Sequence, residues 1–228
     1  MKVPGLTPVM YRQTENVTRK LAARRQAILA AAVNVASENG LAAIQIMPVA
    51  ERAGIAAGTV YRYFPSKSEL VAAVADAVTD QEMVALQAAV TGAPGPLSAL
   101  AAAIATFATR AIGRPRLVFA LIAEPTEPEL DAARARFRGA LVAELTALIA
   151  RTLDEGYLRN QDAKLVAPAL VGALIDGLVG PLALRPQDAA MARGHVQQLT
   201  LFALRGLGLP DSRARGLVAQ TALDQIFP

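Results

Sequence analysis

Residues 46–65, IMPVAERAGIAAGTVYRYFP, decide the fold of the N-terminal third. Ala50 is small where two helices would cross, and Gly54 stands where the chain needs the left-handed turn that glycine adopts at least cost. Val49, Ala53, Ile55 and Val60 are the apolar positions that lock two short helices together. The pattern predicts one helix from about Pro48 to Gly54 and another from about Ala57 to Phe64, which together make a helix-turn-helix. Ala-x-x-x-Gly arises often by chance in an alanine-rich chain. The discriminating residues are therefore Thr59, Tyr61, Arg62 and Tyr63 on an exposed helix, then Lys67 beside the next one.

Working outward, Leu21, Ile28, Leu29, Ala32, Val33 and Ala36 fall at helical spacing, and Asn39-Gly40 stops that first helix. Downstream, Pro65 and Ser66 break the chain, and Ser66 with Glu69 forms a capping box that starts a fourth helix running to about Val90. TGAPGP, residues 91–96, is the clearest break. Helices are expected over about 97–113, 115–123, 127–155, 162–184 and 187–207, with joints at GRP (113–115), EPTEP (124–128) and RPQD (185–188). No β-branched alternating run competes with them, so the fold class is all-α. The expected division is an arm over 1–18, which reads as flexible, a helix-turn-helix domain over 19–66 and a larger helical domain over 67–228.

The chain has 228 residues and 54% hydrophobic content, enough for a substantial core and incompatible with disorder. It has no cysteine and one histidine, which excludes disulfides, thiolate metal sites, cysteine nucleophiles and Cys/His zinc clusters. No metal and no cofactor are expected, and the composition suits a reducing cytoplasm. Leu165–Leu184 has the length to cross a bilayer, but it holds Asp176, Pro168 and Pro181, and an aspartate in lipid costs roughly 3 kcal/mol. It reads as a helix buried in a core and a subunit interface, with no membrane partner. Residues 1–68 carry nine Lys/Arg against three acids, a net of +6, which leaves −2 for the rest of a chain whose total is +4. A basic head on a slightly acidic body fits nucleic-acid binding as well as it fits a plain basic surface.

Arg19 to Val74 resembles the DNA-binding region of the tetracycline-repressor (TetR) family of bacterial regulators. The resemblance rests on ILAAAVNVASENGLAAI (28–44), VAERAGIAAGTVYRYFPSKSEL (49–70) and VAAVADAV (71–78). It implies a homodimer whose subunits each have a three-helix reader and a larger helical domain for ligand binding and dimerisation. It further implies a regulator, most often a repressor, that binds a pseudo-palindromic double-stranded DNA operator and is released by a small apolar effector. The DNA-binding set is Gly58, Thr59, Tyr61, Arg62, Tyr63 and Lys67. Tyr61, Tyr63 and Lys67 suit phosphates, whereas Arg62 and Thr59 suit base edges. Phe64 reads as core. Arg19, Lys20, Arg24 and Arg25 read either as contacts to flanking phosphates or a minor groove, or as a solvated face.

The chain departs from the family in the same stretch. Gln45 and Ile46 stand where a Ser or Thr commonly caps the second helix, and Ala56 and Ala57 stand where a polar pair often opens the third. The family likeness puts a ligand cavity at about 97–183, lined by Leu100, Ile104, Phe107, Phe119, Ile122, Phe137, Leu141 and Leu174, although each taken singly reads more readily as plain core. Aromatics make up 4% of the chain and Trp is absent, so such a pocket is aliphatic. Asp176, an acid in an apolar helix, belongs either to the pocket or to a dimer interface. Arg134, Arg136 and Arg138 follow Glu124, Glu127, Glu129 and Asp131 and read as a salt-bridged face. The helices at 162–184 and 187–207 suit a four-helix bundle made by two subunits. No enzyme constellation appears, and His195 has no acid or serine beside it. The alternative to a regulator is a helical ligand-binding or scaffold protein with weakened DNA binding.

Overall fold

The computed structural model describes residues 8–122, 129–179 and 183–221, and every regular element among them is helical. In chain order these are α1 (Pro8–Asn39), a 3-10 turn (Leu41–Ala43), α2 (Ile46–Ala53), α3 (Ala57–Tyr63), α4 (Lys67–Thr91) and α5 (Pro96–Gly113). They are followed by α6 (Pro115–Ile122), α7 (Glu129–Asp154), α8 (Ala163–Val179), α9 (Ala189–Gly206) and α10 (Asp211–Gln220). The chain divides into two compact units between Val74 and Ala75, inside α4 and later than the expected 66/67 boundary. Leu70, Val71 and Val74 are buried, so the first two turns of α4 count with the first unit.

In the first unit α1 packs on α2, and α2 on α3, around Ile28, Ala32, Ala36, Leu41, Ile44, Val49, Val60 and Phe64. Two starts differ from expectation. Helix α1 reaches back to Pro8, so residues 8–18 are helical where an arm was expected. Proline fits a first turn that needs no N–H, and Val9 to Lys20 holds neither glycine nor proline to end the helix. Helix α2 starts at Ile46, which leaves Pro48 inside its first turn for the same reason.

In the second unit α5 is the central helix, with Leu97, Leu100, Ile104 and Phe107 buried and α9, α7 and α8 packed on it. It is also the described helix long and apolar enough to cross a bilayer, and two-thirds of it is buried inside the unit, as in a core helix. The segment that composition singled out as a span forms α8, which has 17 residues and ends at Val179, while Ala183 and Leu184 are not helical. At Gly177 on α8 a β-carbon would lie 3.1 Å from Leu199 Cδ2 on α9. Helix α10, which packs on α9 and α5, was not anticipated. Its sequence, DSRARGLVAQ, is mostly polar and buries only Ala214 and Val218.

Candidate functional site

The turn between α2 and α3 is built as its residues require. Gly54 adopts φ 65°, ψ 38°, the left-handed region, and its N–H bonds the Glu51 carbonyl while that of Ile55 bonds Ala50. Val60 and Phe64 point inward from α3. The helical repeat then turns Gly58, Tyr61 and Arg62 outward, all exposed, with Thr59 and Tyr63 half-buried. Tyr61 is 52% exposed, a large aromatic left in water on a short helix without an acidic residue. Arg62 lies over the Tyr63 ring at 5.5 Å, within cation–π range, which orients both groups on one side of the helix.

Lys67 is the first residue of α4, the end where unpaired backbone N–H groups and the helix dipole favour an anion. Ser66 precedes it, and its hydroxyl accepts a hydrogen bond from the Glu69 N–H at 3.1 Å, one arm of the expected capping box. All six expected DNA-binding residues thus lie between positions 58 and 67, on α3 and the start of α4. Neither reader helix has a side-chain cap: Gln45 stands at the N-cap of α2 and Ala56 at that of α3.

Two supports of the reader escape a reading by local spacing. Arg52 on α2 donates to both carboxylate oxygens of Glu38 at the end of α1, at 2.5 and 2.7 Å. The Arg52 hydrogen bond holds the Glu38 carboxyl below its usual range, and Glu38 in turn raises Arg52. Arg25 on α1 lies over the Phe64 ring at 4.7 Å, covering the aromatic that ends α3. Partners 14 and 39 positions apart leave no periodic signal in the sequence.

In the second unit the expected ligand-binding residues separate. Ile104, Phe107, Leu141 and Leu174 meet with Leu86 and Val171 around a void of about 10 Å³, too small for a water molecule. Phe137 is fully buried in the same core. Phe119 lines a different pocket, of about 170 Å³. Asp176 is exposed on α8 in the single chain, and it does not line the void around Ile104 and Leu174. Within one chain α8 leaves a stripe of small residues in water, so an apolar composition does not bury every position. Arg136 reaches Asp76 on α4 at 2.5 Å, and Arg134 approaches its own-helix acid Asp131 at 3.4 Å. Glu124 and Glu127 lie outside the described residues.

Residues 28–74 match the family described as bacterial regulatory proteins, tetR family. Over these residues the chain is similar to the DNA-binding domain of the tetR family. The match ends at Val74, the last residue of the first unit. The repressor KstR of Mycobacterium tuberculosis, a transcriptional repressor of the helix-turn-helix type, is 45% identical over 69 residues, which take in 27% of this chain and 31% of that protein. The chain thus spans about a third of this relative's length. Two solved structures share the fold at 19% identity. The fatty acid degradation regulator FadR from Bacillus halodurans has a TM-score of 0.68, with 82% of this chain and 97% of that one covered. The transcriptional regulator FadR from Bacillus subtilis, in complex with stearoyl-CoA, has a TM-score of 0.66, with 79% and 98% covered. The tetR family and these relatives are regulators, not enzymes.

Proposed function

We propose that this protein is a regulator of the tetR family, a ligand-responsive transcriptional repressor that binds a pseudo-palindromic operator as a homodimer. The carrying observation is α3, whose Val60 and Phe64 are buried while Tyr61 and Arg62 stand in solvent ahead of Lys67 at the next helix start. An exposed aromatic and cationic edge on a helix anchored by its other side suits a major groove. KstR, similar over the same region, supports repression as the mode of control.

The α8 and α9 surfaces support the dimer. Leu165, Ala169, Ala173 and Gly177 form an exposed stripe at four-residue spacing on α8, and Met191 and Phe202 are exposed on α9. Paired across a two-fold axis, they form a four-helix bundle with Asp176 at its edge, and the two recognition helices reach successive major grooves about 34 Å apart. The effector binds the second unit. It releases DNA only by binding the two states with different affinity, and α4, which belongs to both units, is the covalent route for the change.

A gel-shift assay on a fragment from upstream of the protein's own gene tests the reading. Tyr63→Ala and Lys67→Ala weaken the shift while sedimentation still gives a dimer; unchanged DNA binding in both variants would remove α3 and Lys67 from the interface. The uncapped Ala56 supports the alternative of a ligand-binding protein with weakened DNA binding. In that case the wild-type chain gives no salt-dependent shift at all.

A further inference from the structure

Two arginine–proline joints of the second unit, Arg114-Pro115 at the start of α6 and Arg185-Pro186 ahead of α9, meet at one pocket of about 170 Å³. Ile112, Phe119, Leu178 and Val179 form its apolar walls, and Pro115 and the segment from Ala183 to Pro186 line the rest. These four walls are buried or half-buried while Pro115, Leu184 and Arg185 are exposed, so the charge sits toward solvent. Among the described residues neither Arg185 nor Arg114 is held in an ion pair. Asp188, the acid next along the chain, is occupied at the start of α9, where it accepts from the Met191 N–H at 2.7 Å.

We propose that this pocket binds a short amphipathic organic acid, with the apolar body against Phe119 and Leu178 and the carboxylate on Arg185. This ligand class deepens the repressor reading above and rests on it, since the acid is taken as the effector. The charge decides the class. A cation entering here meets the Arg185 guanidinium, with Arg114 exposed beside Pro115, and gains nothing to offset desolvation, whereas a carboxylate gains a charge-assisted and often bidentate hydrogen bond. The volume decides the size. At ~30 Å³ per water-sized group it holds a body of at least about five or six heavy atoms, which suits a short acid.

The test is calorimetric titration of the full-length protein with hexanoate, hexan-1-ol, hexylammonium and hexyl phosphate at fixed ionic strength. Hexanoate binds, hexan-1-ol binds at least about fivefold more weakly, and hexylammonium does not bind. Arg185→Gln brings hexanoate down to the level of hexan-1-ol, and Phe119→Trp, which fills the pocket, weakens both. Equal affinity for acid and alcohol, an acid preference that survives Arg185→Gln, or binding unaffected by Phe119→Trp would each overturn the assignment. Tighter binding of hexyl phosphate would overturn the carboxylate in favour of a phosphorylated head. A gel shift on the same preparation separates the two readings. DNA binding without hexanoate binding defeats the pocket and leaves the repressor; hexanoate binding without DNA binding defeats the repressor and leaves the pocket.

Discussion

Arg110 on α5 grips Glu82 on α4 through two charge-assisted hydrogen bonds, Nε to Oε2 at 2.5 Å and Nη2 to Oε1 at 2.8 Å, and Glu82 is only 3% exposed. The bonds to Glu82 raise the Arg110 pKa, so the guanidinium stays charged under all ordinary conditions. Removing Arg110 strands a buried carboxylate. Arg110→Met is expected to cost about 2–4 kcal/mol, at the lower part of the range for broken buried pairs because Arg110 keeps some solvent contact. Arg110→Met with Glu82→Leu is expected to recover most of that loss. Urea unfolding of the three proteins checks it, and a double variant no more stable than Arg110→Met would show that the pair contributes more than charge compensation.

At Gly54 a β-carbon would meet nothing within 4 Å, so the glycine is required by its φ of 65° and not by crowding. Gly54→Ala therefore costs about 1–2 kcal/mol in the first unit, and Gly54→Asn costs less because asparagine tolerates the left-handed region. Thermal melts of the two variants give the order. If alanine and asparagine are equally harmful, backbone conformation is not the cause.

Gly54, Val60 and Phe64 show why the reader was legible in the sequence. Each is constrained by its neighbours within one or two turns, so the residue type at that spacing carries the structural demand. The second unit was legible only as helices. Which faces meet there depends on partners such as Glu82 and Arg110, 28 positions apart, or Arg136 and Asp76, 60 apart. Phe119 was drawn to a central cavity because it is apolar and on the right helix, yet it faces a different pocket from Phe107. Asp176 was read as belonging to a pocket or to a dimer interface, and it stands on a face of α8 that the single chain leaves exposed, beside the stripe of Ala169, Ala173 and Gly177.

The Glu38–Arg52 clamp gives the first unit an acid-sensitive joint. Because the folded-state pKa of Glu38 is lowered, its contribution is complete above the unfolded value, about 4.3 for glutamate, and is lost as pH falls through the lower folded value. The protection of the α2 amides, their exchange rates divided into the intrinsic rates at each pH, is expected to fall below about pH 4. Glu38→Gln, which has no carboxyl to protonate, should exchange faster at neutral pH and lack that step. A step of the same size in the variant would place its origin elsewhere.

Ala56 at the N-cap of α3 leaves the first amides of the recognition helix without a side-chain acceptor. Ala56→Ser supplies one. A gain of about 0.5–1 kcal/mol in unfolding free energy is expected, with α3 amides exchanging more slowly. No gain would mean that the serine oxygen stays in water instead of turning onto the Thr59 N–H, which already donates to the Ala56 carbonyl at 2.8 Å.

Lys67 and Arg62 separate affinity from specificity. Lys67 opens the 25-residue α4, where its charge adds to the helix dipole, so in the proposed interface it meets phosphate and carries no sequence information. Lys67→Ala should weaken binding to all DNA sequences alike and reduce the slope of log affinity against log salt by about 1. Arg62 is exposed and lies over the Tyr63 ring, and in the proposed interface it reads a guanine edge. Arg62→Ala should therefore relax discrimination at one base pair of each half-site by about 1–3 kcal/mol while altering the salt slope less than Lys67→Ala does. Binding curves at several salt concentrations, on the operator and on single-base variants of it, resolve the two effects. The same uniform loss from both substitutions would make Arg62 a phosphate contact and move base reading to Thr59 and to DNA shape.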